Sequence, residues 1–234
     1  MTPLSTRLDA ILTLLGPCRL LADVGTDHGM LPIAAVIRGI AEHAIAADLR
    51  AAPLRSASRN LEAAGAAAHV TVVQGDGIQA LAPYPVDAVV MAGVSGALMV
   101  RLCSAAPDVL ATASQLVVQP NSDTHLIRAW AREHGWHLTG ERMVEEGGRF
   151  FVVCALANAA TGATSAASDP AYAVAGWTEA DLSVIGPLLL ARKDAVARRW
   201  CHMQRERIAR LVAKRAPGLG PELALWQAAR DAME

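Results

Sequence analysis

Apolar positions along the chain change their period repeatedly, and each change marks a new element. Leu4, Leu8, Ile11, Leu12 and Leu15 fall at helical spacing, with Ser5 or Thr6 as cap and Gly16-Pro17 as stop. The run "RLLADVG" then predicts a buried strand, followed by a glycine turn and an apolar helix over Leu31–Ile40. "HAIAADL" predicts a second strand ending at Asp48, and "PLRSASRNLEAAG" a helix opened by Pro53 and closed by Gly65. "HVTVVQGD" and "VDAVVMAGV" read as the third and fourth strands, "GALMVRLCSAAPDVL" as mostly helix, and "QLVVQP" as the fifth strand. "DTHLIRAWAREHG" is a helix that stops at Gly135, and "WHLTGERMVEEGGRFFVVCAL" is a hairpin turning at Glu146-Gly147-Gly148.

Short apolar strands alternating with helices imply a parallel sheet covered on both faces, and a closing hairpin adds an antiparallel edge. Seven strands, the last two a hairpin, are the inventory of the methyltransferase variant of the doubly wound α/β fold, expected over residues 1–157. Residues 158–169 contain "NAATGATSAASD", small or polar throughout, which reads as a linker. A helical appendage is expected over 170–234. Residues 191–215 hold nine Lys and Arg against Asp194 and Glu206, while Val196, Trp200, Met203, Arg207, Ile208 and Leu211 keep helical spacing. That pattern predicts one long amphipathic basic helix. "PELALWQAARDAM" follows the Ala216–Gly220 turn as a second helix, and the two should form an antiparallel, coiled-coil-like pair.

Composition narrows the class. With 234 residues, 53% of them hydrophobic, the chain can bury a full core. A net charge of −1 gives no global basic field, so the basic segment is a local feature hidden by the total. Cys18, Cys103, Cys154 and Cys201 are far apart with no C-x-x-C pair, which argues against zinc ribbons and disulfide frameworks and for reduced thiols in the cytoplasm. The N-terminal apolar run is interrupted by Arg7 and Asp9 and lacks the marks of a signal peptide, and no stretch approaches the ~20 apolar residues of a membrane span. His125, His134 and His137 are joined by no carboxylate cluster, so no metal is expected. The five tryptophans read as packing residues.

The most informative stretch is Leu20–Pro32, "LLADVGTDHGMLP". A dinucleotide fingerprint packs bare backbone amides of G-x-G-x-x-G against a pyrophosphate. Here Gly25 and Gly29 remain, but Asp27 stands at the middle glycine position and Asp23 precedes the turn. Two carboxylates would repel a pyrophosphate by on the order of a few kcal/mol. S-adenosylmethionine has no phosphate and carries an ammonium, for which Asp23 is favourable. Asp48, 23 residues after Gly25, is placed to bond ribose hydroxyls; Asp76 can accept from the adenine amino group, and Ile78 can cover the ring. Leu49 and Gly77, at the ends of the second and third strands, and Ala92 and Gly93, at the end of the fourth, complete the expected cofactor set. A lone strand-end Asp is as often a turn or helix cap.

In order, "LADVGTDHGMLPI", "AADL", "GDGI", "VVMAGVSGALM", "LVVQPN", Gly135-Trp136 and "VEEGGRFFVV" resemble the bacterial tRNA (adenine-22-N1)-methyltransferase family, from Leu4 to Leu156 and more weakly through "IGPLLL" and the basic helix. The resemblance implies N1 methylation of an adenine in the D-arm of tRNA with S-adenosylmethionine as donor. Where the family usually has Gly-Met-Gly-Gly after the fourth strand, this chain has Gly93-Val94-Ser95-Gly96. Adenine N1 already has a lone pair, so alignment matters more than a strong base. A carboxylate near the cationic product would stabilise it, which makes Asp27 the first catalytic candidate. His28 could orient Asp27 or take a proton later, or simply start the helix by bonding backbone. Asn121 could hold a base edge or cap a helix. N1 lies on the pairing edge, so the base must be unpaired or extruded. Arg198, Arg199 and Arg205 are candidates for phosphate contact. A non-catalytic RNA-binding protein on a degenerate fold, and a small-molecule methyltransferase whose basic helices serve dimerisation, remain open beside the tRNA reading, as do monomer and homodimer.

Overall fold

The structure, a computed structural model, describes residues 4–161, 168–214 and 217–234. Residues 162–167 of the expected linker and Arg215 of the basic segment lie outside the described residues.

Seven strands form one sheet in the order β3-β2-β1-β4-β5-β7-β6. They are β1 (Cys18–Val24), β2 (Ala41–Asp48), β3 (Val70–Gln74), β4 (Ala88–Ala92), β5 (Gln115–Gln119), β6 (Trp136–Glu146) and β7 (Arg149–Asn158). The first five are parallel, while β7 lies antiparallel between β5 and β6. Neighbouring residues on each strand feed opposite faces. Leu21, Ala44, Val90 and Val117 pack under α1 (Thr6–Leu14), α2 (Met30–Ile37) and α3 (Ala51–Ala63). Ala22, Ile45, Val89 and Leu116 pack under α4 (Gly96–Ser104), α5 (Pro107–Thr112) and α6 (Thr124–Glu133). This second core continues without a break into α7 (Glu179–Ile185), α8 (Pro187–Arg192), α9 (Ala195–Ala213) and α10 (Gly220–Met233) through Leu182, Leu189, Cys201 and Trp226. Among the described residues no helix is long and apolar enough to cross a membrane.

The elements follow local chemistry. Ser5 caps α1 by accepting from the Leu8 amide. α3 begins two residues before Pro53, which sits in the first turn, where its missing N–H costs no helical bond. The segment expected as mostly helix after β4 is two helices, α4 and α5, because Pro107 cannot continue α4 and instead starts the next helix. The basic segment is likewise not one helix from residue 191. Lys193 turns left-handed at φ 50°, and Asp194 caps α9 by accepting from the Val196 and Ala197 amides. α7 carries a capping box between Thr178 and Asp181.

A buried ion pair joins the C-terminal helices to the sheet. Arg128 Nε on α6 donates to Glu141 Oε1 on β6 at 2.7 Å, and both side chains are almost fully buried. Arg128 Nη1 donates to the Ser183 carbonyl at 2.8 Å, and Glu141 Oε2 accepts from the Leu188 and Leu189 amides at 2.9 and 3.2 Å. Gly186 crosses directly over the pair at φ 99°, and a Cβ there would stand 2.6 Å from the guanidinium. Only glycine permits both that backbone angle and that approach.

Candidate active site

The parallel strands end along one edge of the sheet, and register places those ends side by side. Val24 pairs with Ala47 on one side and Met91 on the other; Asp48 pairs with Gln74, and Ala92 with Gln119. A cleft of about 210 Å³ opens there, walled by Gly25, Asp48, Leu49, Asp76, Gly77 and the apolar side chains of Met91, Val94, Leu98 and Leu102. Leu49 is 60% exposed, unusual for leucine, and forms part of this rim. Asp48 Oδ1 accepts from Arg50 N and Arg50 Nε at 2.7 and 3.3 Å. Ile78, expected over the ligand, does not line this cleft. Gly77 opens a short 3-10 turn that sends Ile78 fully into the core.

Asp23, at the end of β1, is a buried carboxyl. Burial pushes its pKa up to about 6, with Asp48 and Asp27 adding to the rise and the Thr26 side chain opposing it. No Lys, Arg or His among the described residues pairs with it. The loop that follows is anchored at its start by Gly25 N and Thr26 N, both donating to the Ala47 carbonyl. It then takes two consecutive left-handed residues, His28 at φ 59° and Gly29 at φ 67°, before α2 begins. Asn60 Nδ2, from α3, holds the His28 carbonyl at 2.8 Å. Asp27 and His28, on the loop after β1, have their side chains 3.2 Å apart and largely exposed, and neither lines the cleft.

Two further loops interlock beyond β4 and β5. Asn121 N donates to the Val94 carbonyl at 2.8 Å, Asn121 Nδ2 to the Gly93 carbonyl at 2.5 Å, and Gly96 N to the Ser122 carbonyl at 2.8 Å. Beneath them the fully buried Gln119 donates from Nε2 to Asn121 Oδ1 at 3.3 Å and accepts at Oε1 from Arg7 Nη1 of α1 at 2.5 Å. Asn121 is therefore no helix cap: Asp123 occupies the position before α6, with no side-chain cap bond. The amide of Asn121 is fastened at both ends and keeps one donor and one acceptor direction free. A Cβ on Gly96 would fall 2.2 Å from the Asp123 carbonyl, so the two loops could not meet over a larger residue.

These contacts bring Asp23, Gly25, Asp48, Leu49, Asp76, Gly77 and Gly93 to one strand-end edge, with Ala92 ending β4 beside Gln119. No hydrogen bond or ion pair joins Asp27 or His28 to Asn121 among the described residues. The expected arginines differ from one another. Arg198 is exposed and makes no ion pair among the described residues, Arg199 pairs with Glu145 of β6, and Arg205 pairs with Glu206 and reaches Gln227 of α10. Arg7, Gln119, Thr26 and Asn60 were not among the expected site residues, although a charge inside an apolar helix and a polar residue closing a buried strand were visible signals.

A model of the methyltransferase domain matches residues 4–154. A tRNA (adenine(22)-N(1))-methyltransferase of Bacillus subtilis is 33% identical over 198 residues, covering 84% of this chain and 79% of that protein. The chain belongs to the tRNA (adenine(22)-N(1))-methyltransferase family. The crystal structure of the B. subtilis m1A22 tRNA methyltransferase is similar over 98% of this chain and 100% of that one, at 26% identity and a TM-score of 0.83. Streptococcus pneumoniae Sp1610 shares the fold, with a TM-score of 0.82 at 24% identity over 99% and 98% of the two chains. Against the family's usual Gly-Met-Gly-Gly, the two altered residues have local roles. Ser95 caps α4 by accepting from the Leu98 amide, and Val94 lines the cleft while its carbonyl receives Asn121.

Proposed function

We propose that this protein transfers a methyl group from S-adenosylmethionine to N1 of an adenine in tRNA, at position 22 of the D-arm. The observation that carries this reading is Asp23, a buried carboxyl without a cation among the described residues, beside a cleft edged by acids and walled by apolar side chains. A buried charge without a partner is costly. The ammonium of the cofactor supplies that partner, Asp48 suits ribose hydroxyls, Asp76 suits the adenine amino group, and Leu49, Val94 and Leu98 suit the ring. No phosphate would sit well among these acids. When bound, S-adenosylmethionine supplies an electrophilic methyl group.

The rest of the chemistry belongs to the chain. Asn121, held by Gln119 and the Gly93 carbonyl, offers its free donor and acceptor to the edge of an extruded base. The Gly93 loop next to it aligns that base with the cleft, and alignment is the main requirement because N1 needs no deprotonation to attack. Asp27 stabilises the positive charge that develops on the ring, and His28, 3.2 Å from it, orients it and takes up the proton that the exocyclic amine later releases. Residues 1–157 carry this chemistry in our reading, and 170–234 hold the RNA, with exposed Arg198 among the phosphate contacts.

The test is incubation of the protein with isotopically labelled S-adenosylmethionine and an unmodified tRNA transcript containing adenine 22, followed by nucleoside mass spectrometry and primer extension. Label in 1-methyladenosine with an extension stop at position 22 is expected. Cofactor binding without transfer to any tRNA would instead favour a non-catalytic RNA-binding protein or a small-molecule methyltransferase.

A further inference from the structure

A second cavity, of about 330 Å³, lies between the Asn121 loop and the C-terminal helices. It is built from Asn121 after β5, Phe150 on β7, Trp200, Gln204 and Arg207 on α9, and Trp226 on α10. The spacing of Trp200, Gln204 and Arg207, four residues and then three, sets them along one stripe of α9. Trp226 is buried and meets Trp200 edge to face at 4.8 Å between ring centres, which fixes the Trp200 ring. Arg207 is held in place loosely: its Nε donates to Gln204 Oε1 at 3.1 Å, Glu222 stands 3.8 Å away, and more than half of its side chain is exposed. The Gln204 amide N–H groups have no protein partner among the described residues. A groove of this volume falls in the range of ligand sites, ~300–1,000 Å³.

We propose that this groove holds one unpaired nucleotide of the tRNA, a neighbour of the methylated adenine. The inference rests on the tRNA reading above and deepens it. Aromatic rings beside an amide and a guanidinium are the chemistry that recognises a splayed-out base and its phosphate. Location supports the same occupant. Asn121 borders the groove while its amide is fastened to the Gly93 loop of the catalytic edge, so a strand whose target base lies on that edge passes its next residue into the groove. The base stacks on Trp200, with Phe150 beside it; Gln204 bonds its edge, and Arg207 receives the phosphate. Asp123, which also lines the cavity, repels phosphate and so sets the phosphate on the α9 side.

Three α9 variants test the groove with unmodified tRNA transcript as the probe. Trp200→Leu keeps an apolar side chain against Trp226 but loses the flat ring, and it should raise the KM for tRNA about tenfold, as expected for one lost base–aromatic stack. Trp200→Phe restores a ring and should bring KM most of the way back, a recovery that a purely structural role would not favour over leucine. Arg207→Gln should raise KM and reduce the salt slope of tRNA binding by about one unit. Affinity for S-adenosylmethionine, measured by calorimetry, reports that each variant is folded. An unchanged KM in Trp200→Leu and Arg207→Gln, with cofactor affinity intact, would overturn the proposal. A second readout does not need activity. Photocrosslinking of 4-thiouridine-substituted tRNA to the unaltered protein should label Phe150 or Trp200, and label confined to the outer face of α9, at Arg198 and Arg210, would also overturn it. If the unaltered protein methylates no tRNA, the proposed function fails, and crosslinking alone decides whether the groove holds a nucleotide.

Discussion

Two buried carboxyls, Glu141 and Asp23, are treated in opposite ways by the fold. Glu141 is 1% exposed and receives Arg128 and two backbone amides; Asp23 is 5% exposed and receives no cation among the described residues. The first is satisfied from within and fastens α7 and α8 to the sheet. The second is left for something that arrives from outside. Burial alone therefore does not distinguish a structural acid from a binding acid; the source of the compensating charge does.

The largest effect should follow from breaking the satisfied pair. Glu141→Gln leaves Arg128 buried without its counter-charge and should destabilise the protein by about 3–5 kcal/mol, seen in denaturant unfolding. Replacing both residues with apolar side chains of similar volume should recover most of that loss. A small effect of Glu141→Gln would remove the contrast.

Asp23→Asn should act in the opposite direction on stability. The folded pKa of Asp23 is raised from 3.8 to about 6, so the folded state holds its proton more tightly than the unfolded state. The resulting stabilisation is fully present below about pH 4 and is lost as pH rises through 6. Without cofactor, Asp23→Asn should therefore be more stable than the original protein at pH 8, by roughly 2–3 kcal/mol, and indistinguishable from it near pH 4. The same variant should lose S-adenosylmethionine binding. Parallel unfolding curves at pH 4 and pH 8 would show that Asp23 carries no such burden.

A third, smaller effect sharpens the comparison at the cleft itself. Asp48 is already bonded by Arg50 through Oδ1, so it lies between the two cases. Asp48→Ala should weaken cofactor binding by about 1–3 kcal/mol by calorimetry, with little change in stability. The smallest effect contrasts surface charges. Arg198→Glu should reduce tRNA affinity severalfold more than Arg199→Glu, because Arg199 is engaged by Glu145 and Arg198 has no such partner among the described residues. Equal losses in a filter-binding assay would make the internal pairing irrelevant to RNA contact.

Much of the fold was legible because it rests on local chemistry. Apolar runs such as "VDAVVMAGV", the Ser5 cap and the Gly147-Gly148 hairpin turn act within a few residues of where they are read. The acids at the ends of β1, β2 and β3 were legible for the same reason, since a strand end is a local feature. The suture was not. Arg128 and Glu141 are 13 residues apart on different elements, and their backbone partners lie beyond residue 180. Nothing in a window around either residue marks it as buried. The break at Lys193 was hidden because lysine is no helix breaker; only Asp194, a good cap, hinted at a new start. Ile78 was misplaced because helical or strand periodicity does not describe a 3-10 turn, which rotates the side chain inward. The support of Asn121 by Gln119 and Arg7 spans 112 residues and is invisible to any local pattern.

Helix α1 is held largely by segments that are synthesised much later. The apolar side of α1 packs on β5, β6 and β7, and the Arg7 amide bonds Glu146, 139 residues further along. A ribosome adding ~5–20 residues per second needs roughly 7–28 s to cover that distance. Until the hairpin emerges, Ile11 and Leu12 lack the β6 and β7 part of their native surface, so the nascent chain presents a partly uncovered apolar helix. Folding of the catalytic edge is thus gated by the arrival of β6 and β7, and a chain stalled before residue 136 should be a chaperone client rather than a partly working enzyme.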